Sequence, residues 1–307
     1  MSDAMADAEE DASALSSVDL SRVALYGALL AVMAAILTPI EAGLVTSFKT
    51  SPGGVSSTLP FAPPTPEFFT LSKWSAALNA LGRGMVNSAL YAIPATVISA
   101  FLGSLAAYGL TQAQWKPRYK APLLALVVAG IFIPYQAVLV PLSRFWAVYA
   151  PLDEWLSFLW ALGINDDYVG ILELLITHVA YGVPICTVLF RSYYKNMSIE
   201  MVESARLDGA SLRRVYRRII LPLSTPMFAV VLIYQFTQIW NDLLFALVLV
   251  STESSPAAPV TLILAGLGQS QEGVDFPLRM AGAFIAALPT LAVYVMFGEE
   301  FAEGVAS

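Results

Sequence analysis

Runs of about twenty or more apolar residues recur along this 307-residue chain, and they constrain its fold more than any other feature. A segment of that length crosses the ~30 Å hydrocarbon core of a bilayer as an α-helix. Inside a bilayer, only helices and closed barrels satisfy every backbone N–H and C=O. The runs fall at about 23–46, 86–108, 121–146, 169–190, 223–250 and 279–297. They predict an all-α integral membrane protein with six transmembrane helices. Composition agrees, with 57% hydrophobic and 13% charged residues, where a soluble domain carries about 25% charged. Pro134 and Pro141 fall inside the third run and predict a kink or break near its middle.

The polar remainder fixes an expected orientation. Residues 1–22 are rich in Asp and Glu with small spacers, which predicts an acidic, disordered cytoplasmic tail. The low pI fits either an organism of high-salt habitat or an ordinary acidic tail. A long polar stretch, 47–84, separates the first two runs, and Trp74, Phe68 and Phe69 place part of it at the membrane interface. With both termini inside, the inner segments hold Arg22, Lys116, Arg118, Lys120, Arg191, Lys195, Arg206, Arg213, Arg214, Arg217 and Arg218. The outer segments keep Lys49, Lys73, Arg83, Arg144 and Arg279. Eleven against five follows the rule that Lys and Arg stay on the cytoplasmic side. A single cysteine, Cys186, and a single histidine, His178, both sit in apolar surroundings. They offer no disulfide framework, no metal-ligand cluster and no Ser–His chemistry, and both read as packing residues. The chain has no GxxxxGK[ST] phosphate loop, so it is not expected to bind ATP itself or to be an enzyme.

One polar island interrupts this pattern. Residues 191–222 form an inner segment between the fourth and fifth runs, and its second half reads ESARLDGASLRRVYRRIILP. Ser198 is suited to cap a first helix running to about Leu207. Asp208 and Gly209 then make a turn, because glycine accepts positive φ without steric cost. Ser211 is suited to cap a second helix from Leu212 to about Ile220, and Pro222, lacking an N–H, marks the junction with the fifth run. A solvated basic loop would also account for the arginines alone. The spacing says more: Glu203-Ser204-Ala205, three residues, Gly209, nine residues, then Ile219-Ile220-Leu221-Pro222.

In that spacing the chain resembles the permease subunits of ATP-binding-cassette importers, departing from their motif only at Ser204. Beyond the island it is similar to the maltose-type sugar permeases. That similarity rests on TSFKT at 46–50, NSALYA at 87–92, IPYQAVLVPL at 133–142, Asp208-Gly209-Ala210, Trp240-Asn241-Asp242, AGAFIAALP at 281–289 and the stretch 301–304. Among these, subunits assigned to glucose import are the most similar. The resemblance implies a permease domain over 23–298 and a short tail at 299–307. It implies that Glu203, Ser204, Ala205, Asp208, Gly209, Ala210, Ile219, Leu221 and Pro222 form a coupling loop seated in a cytoplasmic ATPase dimer, which binds the ATP. There Glu203 would face a basic group and Gly209 would form the turn. A second permease subunit and an extracytoplasmic sugar-binding protein are the other implied partners, with lipid around the spans and no nucleic acid.

Polar side chains inside spans are costly and often line a pathway. Gln235, Gln238 and Asp242 repeat at i, i+3 and i+7 in the fifth run, predicting one shared helix face with Asn241 beside it. Glu41 and Gln136 are further candidates. Interhelical hydrogen bonding is the competing reading for all six. Two rival functions remain open from the residues. One is an importer permease for another solute, such as a polyamine or a peptide, and the other is a carrier working without ATP.

Overall fold

The computed structural model describes residues 20–299, apart from 114, 115, 198, 251 and 272. The acidic head at 1–19, the cap expected at Ser198 and the closing residues from 300 onward lie outside the described residues. The chain is almost entirely helical. Its main elements are α1 (Leu20–Ser47), α2 (Ser72–Gln112), α3 (Pro117–Ile131), α4 (Tyr135–Arg144), α5 (Val169–Asn196) and α6 (Ile199–Leu207). They continue with α7 (Leu212–Val215), α8 (Thr225–Trp240), α9 (Leu244–Leu249), α10 (Val260–Gly266) and α11 (Phe276–Met296). A two-stranded antiparallel hairpin, Gln269–Ser270 with Gly273–Val274, is the paired sheet among the described residues.

Among the described residues four helices are long and apolar enough to cross a membrane, namely α1, α2, α5 and α11, and the total is six if each of two bent pairs is one span. One bent pair joins α3 to α4, turning by 97° just before Pro134. Pro134 ends the first half because proline disfavours helix in the residue before it. The other bent pair joins 212–223 to α8 at 74°. Ser224 sits fully buried at that joint, and both its hydroxyl and its N–H donate to Ile220 O.

The second span starts earlier than its hydropathy indicates. Helix α2 begins at Ser72, so the stretch read as a polar loop to residue 84 is helical for its final thirteen residues, Ser72 onward. Its 41 residues rise about 62 Å, twice the hydrocarbon thickness, so it projects well beyond the bilayer. Hydropathy misses this turn-rich start because Lys73 and Arg83 lower it. Both charges have partners there: Lys73 pairs with the Asp275 carboxylate, and Arg83 donates to Glu253 O. Trp74, expected at an interface, is stacked between Phe48 and Phe284. Nearby, Lys49 is buried and donates to Leu59 O at 2.7 Å, and burial lowers its pKa from the ordinary lysine value.

The stretch 251–278 is likewise more than a loop. Helix α10 within it packs its buried Val260, Leu262 and Ile263 against α2. Asn87 on α2 donates to Pro256 O and Ala258 O, and Val260 N donates to Ser88 Oγ, so this segment is pinned to the bundle. The sixth span accordingly starts at Phe276, where Asp275 caps α11 by accepting from Leu278 N at 3.1 Å.

The core is built on α2 and α5, which run side by side with small residues at the seam. A Cβ placed on Gly103 would lie 2.4 Å from Cys186 Cβ, which explains why Cys186 is fully buried. Helix α1 is the exception. Its apolar window is exposed along its whole length, and it touches the bundle through α11 near Gly43.

Candidate functional site

The polar island forms a compact helical hairpin at one end of the bundle, beside the ends of α2 and α5. Helix α6 stops at Leu207, and Gly209 takes φ +79°. Ala210 N donates to Ala205 O at 2.9 Å, and Gly209 N donates to Arg206 O at 3.0 Å. These are the paired hydrogen bonds of a Schellman closure, with the glycine in the left-handed position that no side chain hinders. That geometry gives Ala205, Gly209 and Ala210 their roles. Two alanines meet across the closure and both are half-buried, so larger side chains would wedge it open. Ser211 then caps the second half, its hydroxyl accepting from Arg214 N.

The second half is not one regular helix. Helix α7 passes into a π-helical turn, Tyr216–Ile220, and then a last turn at Leu221–Leu223. The wide turn carries Val215, Tyr216 and Ile220 inward, all buried, while Arg213, Arg214, Arg217 and Arg218 stay exposed. Ile219 and Leu221 are half-buried, and Pro222 is exposed at the lead-in to the 74° joint.

Glu203, Ser204 and Asp208 are exposed on the free side of this hairpin. Two apolar side chains join them that the spacing gave no reason to select: Leu207, 90% exposed, and Met201. A shallow groove runs between the two halves, lined by Glu200, Met201, Ser204, Ala205, Asp208 and Ile219. The capped hairpin thus presents exposed apolar side chains beside carboxylates on its free side.

The polar residues of the fifth span divide differently from the single face expected. Helix α8 ends at Trp240, so Asp242 lies in a break rather than two turns along a helix. Asp242 caps α9 instead, its carboxylate accepting from Phe245 N at 3.1 Å, while its carbonyl accepts from Thr261 Oγ1 at 2.7 Å. Gln235 is buried between α2 and α5, where its Oε1 accepts from the Cys186 thiol. Gly182 makes that room, since a Cβ there would fall 2.2 Å from Gln235 Nε2. Gln238 and Asn241, by contrast, are exposed, and Gln238 donates to the exposed Tyr234 hydroxyl. One set therefore serves the interior and the other faces outward. Glu41 on α1 and Gln136 on α4 are exposed as well.

His178 packs as expected, stacked on Tyr91 with centroids 5.6 Å apart and edge-on to Phe245 at 5.3 Å. Its Nε2 stands 3.7 Å from the Asp242 carboxylate. Tyr135 and Tyr181 complete this aromatic cluster around Phe245, tying α4 and α5 to the break. Among the described residues, no group of three or more His, Cys, Asp or Glu side chains could hold a metal ion.

Comparison with known proteins bears on both regions. Residues 99–298 match the family described as "Binding-protein-dependent transport system inner membrane component". The chain is 48% identical over 295 residues to a xylose/arabinose import permease protein of Haloferax volcanii, covering 95% of this chain and 94% of the relative. It is 28% identical to a glucose import system permease protein of Saccharolobus solfataricus, covering 91% of each. A chain of the bacterial alginate ABC transporter, solved in complex with an alginate pentasaccharide-bound periplasmic protein, superposes with a TM-score of 0.64. That chain is 15% identical, with 91% of this chain and 94% of the other covered, which shows a shared fold.

Proposed function

The chain belongs to the binding-protein-dependent transport system inner membrane components, and from that premise we propose that it is the permease subunit of an ATP-driven sugar importer. It is a multi-pass membrane protein, and the relatives it matches are transport permeases rather than enzymes. Sugar import is supported by those relatives, a xylose/arabinose and a glucose import permease. The xylose/arabinose relative, at 48% identity against 28% for the glucose one, favours a pentose as the cargo.

The observation that carries the coupling role is the Schellman-closed hairpin with Leu207 and Glu203 exposed beside each other on its free side. Force passes between proteins only through an element that resists bending, and this one is capped at the turn and tied at the Ser224 joint. Its occupant in this reading is a cytoplasmic ATPase dimer, which holds the ATP that this chain has no loop to bind. The eleven-to-five distribution of Lys and Arg supports a cytoplasmic side for the hairpin and both termini. Helix α1, apolar and uncovered along its length, supports a second permease subunit alongside this one. The periplasmic protein named with the alginate transporter supports an extracytoplasmic binding protein as the donor of sugar.

Glu203→Ala is expected to weaken co-purification of the ATPase while leaving the spans folded, because the carboxylate is exposed and supports nothing internal. Unchanged co-purification would remove Glu203 from the contact. For the pathway, the exposed Tyr234, Gln238 and Asn241 face is the part able to meet sugar hydroxyls, and the exposed Gln136 and Glu41 are further candidates. Gln238→Ala with Asn241→Ala is expected to raise the KM for uptake about tenfold at unchanged thermal stability. Gln235→Ala should instead lower stability by about 1–3 kcal/mol, since it leaves buried partners unmet. Equal effects from both sets would dissolve the distinction. The function as a whole is tested in proteoliposomes holding both permeases and the ATPase, with binding protein and labelled xylose, arabinose or glucose on the opposite side from ATP. Sugar accumulation that persists without ATP would make the chain a carrier and overturn the reading.

A further inference from the structure

We propose that three buried hydroxyls, on Ser104, Tyr194 and Tyr216, form a second line of force between the coupling hairpin and the bundle, reaching α2 and α5 directly. The inference rests on the reading of 203–222 as the coupling loop and adds to it. On the chain's own connectivity, the hairpin would act on the spans at its two ends, α5 before it and α8 after it, and would leave α2 untouched. The side chains say otherwise. Ser104 Oγ on α2 lies 2.6 Å from the Tyr194 hydroxyl on α5 and 2.8 Å from the Tyr216 hydroxyl on the hairpin. Ser104 is fully buried, and the two tyrosines are 2% and 5% exposed. A serine hydroxyl donates once and accepts twice, so a single residue can join both tyrosines.

Three further bonds brace the same junction. Tyr108 on α2 donates to Leu212 O at 3.0 Å, and its ring packs on Tyr216 with centroids 5.2 Å apart. Arg206 on the first half of the hairpin donates to Gln112 O at the end of α2. Tyr193 on α5 donates to Leu223 O at 2.8 Å. The π-helical turn begins at Tyr216 itself. Such insertions cluster at functional positions because the extra residue re-aims a side chain. Here the wide turn brings Tyr216 inward between four arginines that stay in solvent.

The hairpin is thus fastened to three spans, with α5 and α8 held by the chain and α2 held by hydroxyls that also brace α5. Since α2 and α5 approach within a Cβ of each other at Gly103, they move as one body. A displacement of the hairpin relative to that body must strain or break the Ser104 bonds. Ser104, Tyr194 and Tyr216 are positioning residues in this scheme and touch neither sugar nor ATP.

A structural glue would serve stability alone, and the coupling ratio separates the two roles. In proteoliposomes of the full transporter with its binding protein, sugar moved per ATP hydrolysed is measured for Tyr216→Phe, Ser104→Ala and the pair. Both substitutions keep the packing nearly intact and remove only hydroxyls. The expected result is about a tenfold fall in sugar moved per ATP hydrolysed, with ATPase co-purification unchanged, and with the double variant no worse than either single one. A wild-type ratio in both single variants would overturn the proposal, as would transport and hydrolysis falling together in proportion to assembled complex. Glu203→Ala combined with Leu207→Ala, run in parallel, keeps the two ideas separate. If that pair retains both docking and coupling, the hairpin reading itself fails; if it loses docking while the hydroxyl variants stay coupled, only the hydroxyl clamp fails.

Discussion

Gly103→Ala is expected to loosen the bundle at the seam between α2 and α5. The added Cβ would meet Cys186 Cβ at 2.4 Å and the backbone of Cys186 and Thr187 at 2.9 Å. Backbone cannot swing aside as a flexible side chain can, so α2 and α5 must separate along the seam on which the core is built. Overpacking of this kind costs about 1–3 kcal/mol, which exceeds the ~1 kcal/mol gained from alanine's higher helix propensity. At that cost the thermal midpoint of the purified protein should fall by roughly 5 °C. Gly109→Ala on the same helix is the control, since a Cβ there meets nothing within 4 Å. It should be neutral or slightly stabilising. Equal midpoints for the two variants would mean that the seam yields and that α2 and α5 are not a rigid body.

Gly209→Val should abolish most transport while leaving the spans intact. Gly209 sits at φ +79° with open space around it, so the entire effect arises in the backbone. A residue with a Cβ costs about 1–2 kcal/mol in this region, and a β-branched one costs more. At about 2 kcal/mol the closed turn loses roughly thirtyfold against opened forms. The same cause predicts an order: Asn, which tolerates left-handed backbone, should be mildest, Ala intermediate and Val worst. Sugar uptake by the three variants at matched membrane levels is the measurement. Normal uptake by the valine variant would show that the hairpin works without its Schellman closure.

Much of the fold was legible in the residues because a bilayer leaves few options. Six apolar runs became four long helices and two bent pairs, with the bend before Pro134 where proline demanded it. The Asp208-Gly209 turn and the Ser211 cap also followed, since both depend on chemistry within a few residues. What escaped was set by partners distant in sequence. The helical start of α2 was hidden because Lys73 finds Asp275 some two hundred residues away. Helix α10 was read as loop because its stability comes from packing on α2. The supposed single face of the fifth span failed because α8 ends at Trp240, where Asp242 turns to cap α9. Periodicity assumes a continuous helix and cannot foresee that break. Tyr216 left no signal at all, lying in a run of arginines that looked purely electrostatic.

The residues by themselves determined the solvent this protein lives in, its helical class and the turn of its polar hairpin. Each follows from local rules: backbone hydrogen bonds must close inside lipid, and glycine alone is free at positive φ. Only the tertiary structure decided which polar groups face outward, and to which spans the hairpin is fastened. Those outcomes depend on α2 and α5 meeting at Gly103 and carrying Ser104 to within hydrogen-bonding distance of both Tyr194 and Tyr216. Spacing along a chain fixes neighbours one helical turn apart, whereas a contact between residues ninety or more positions apart exists only once the helices have packed.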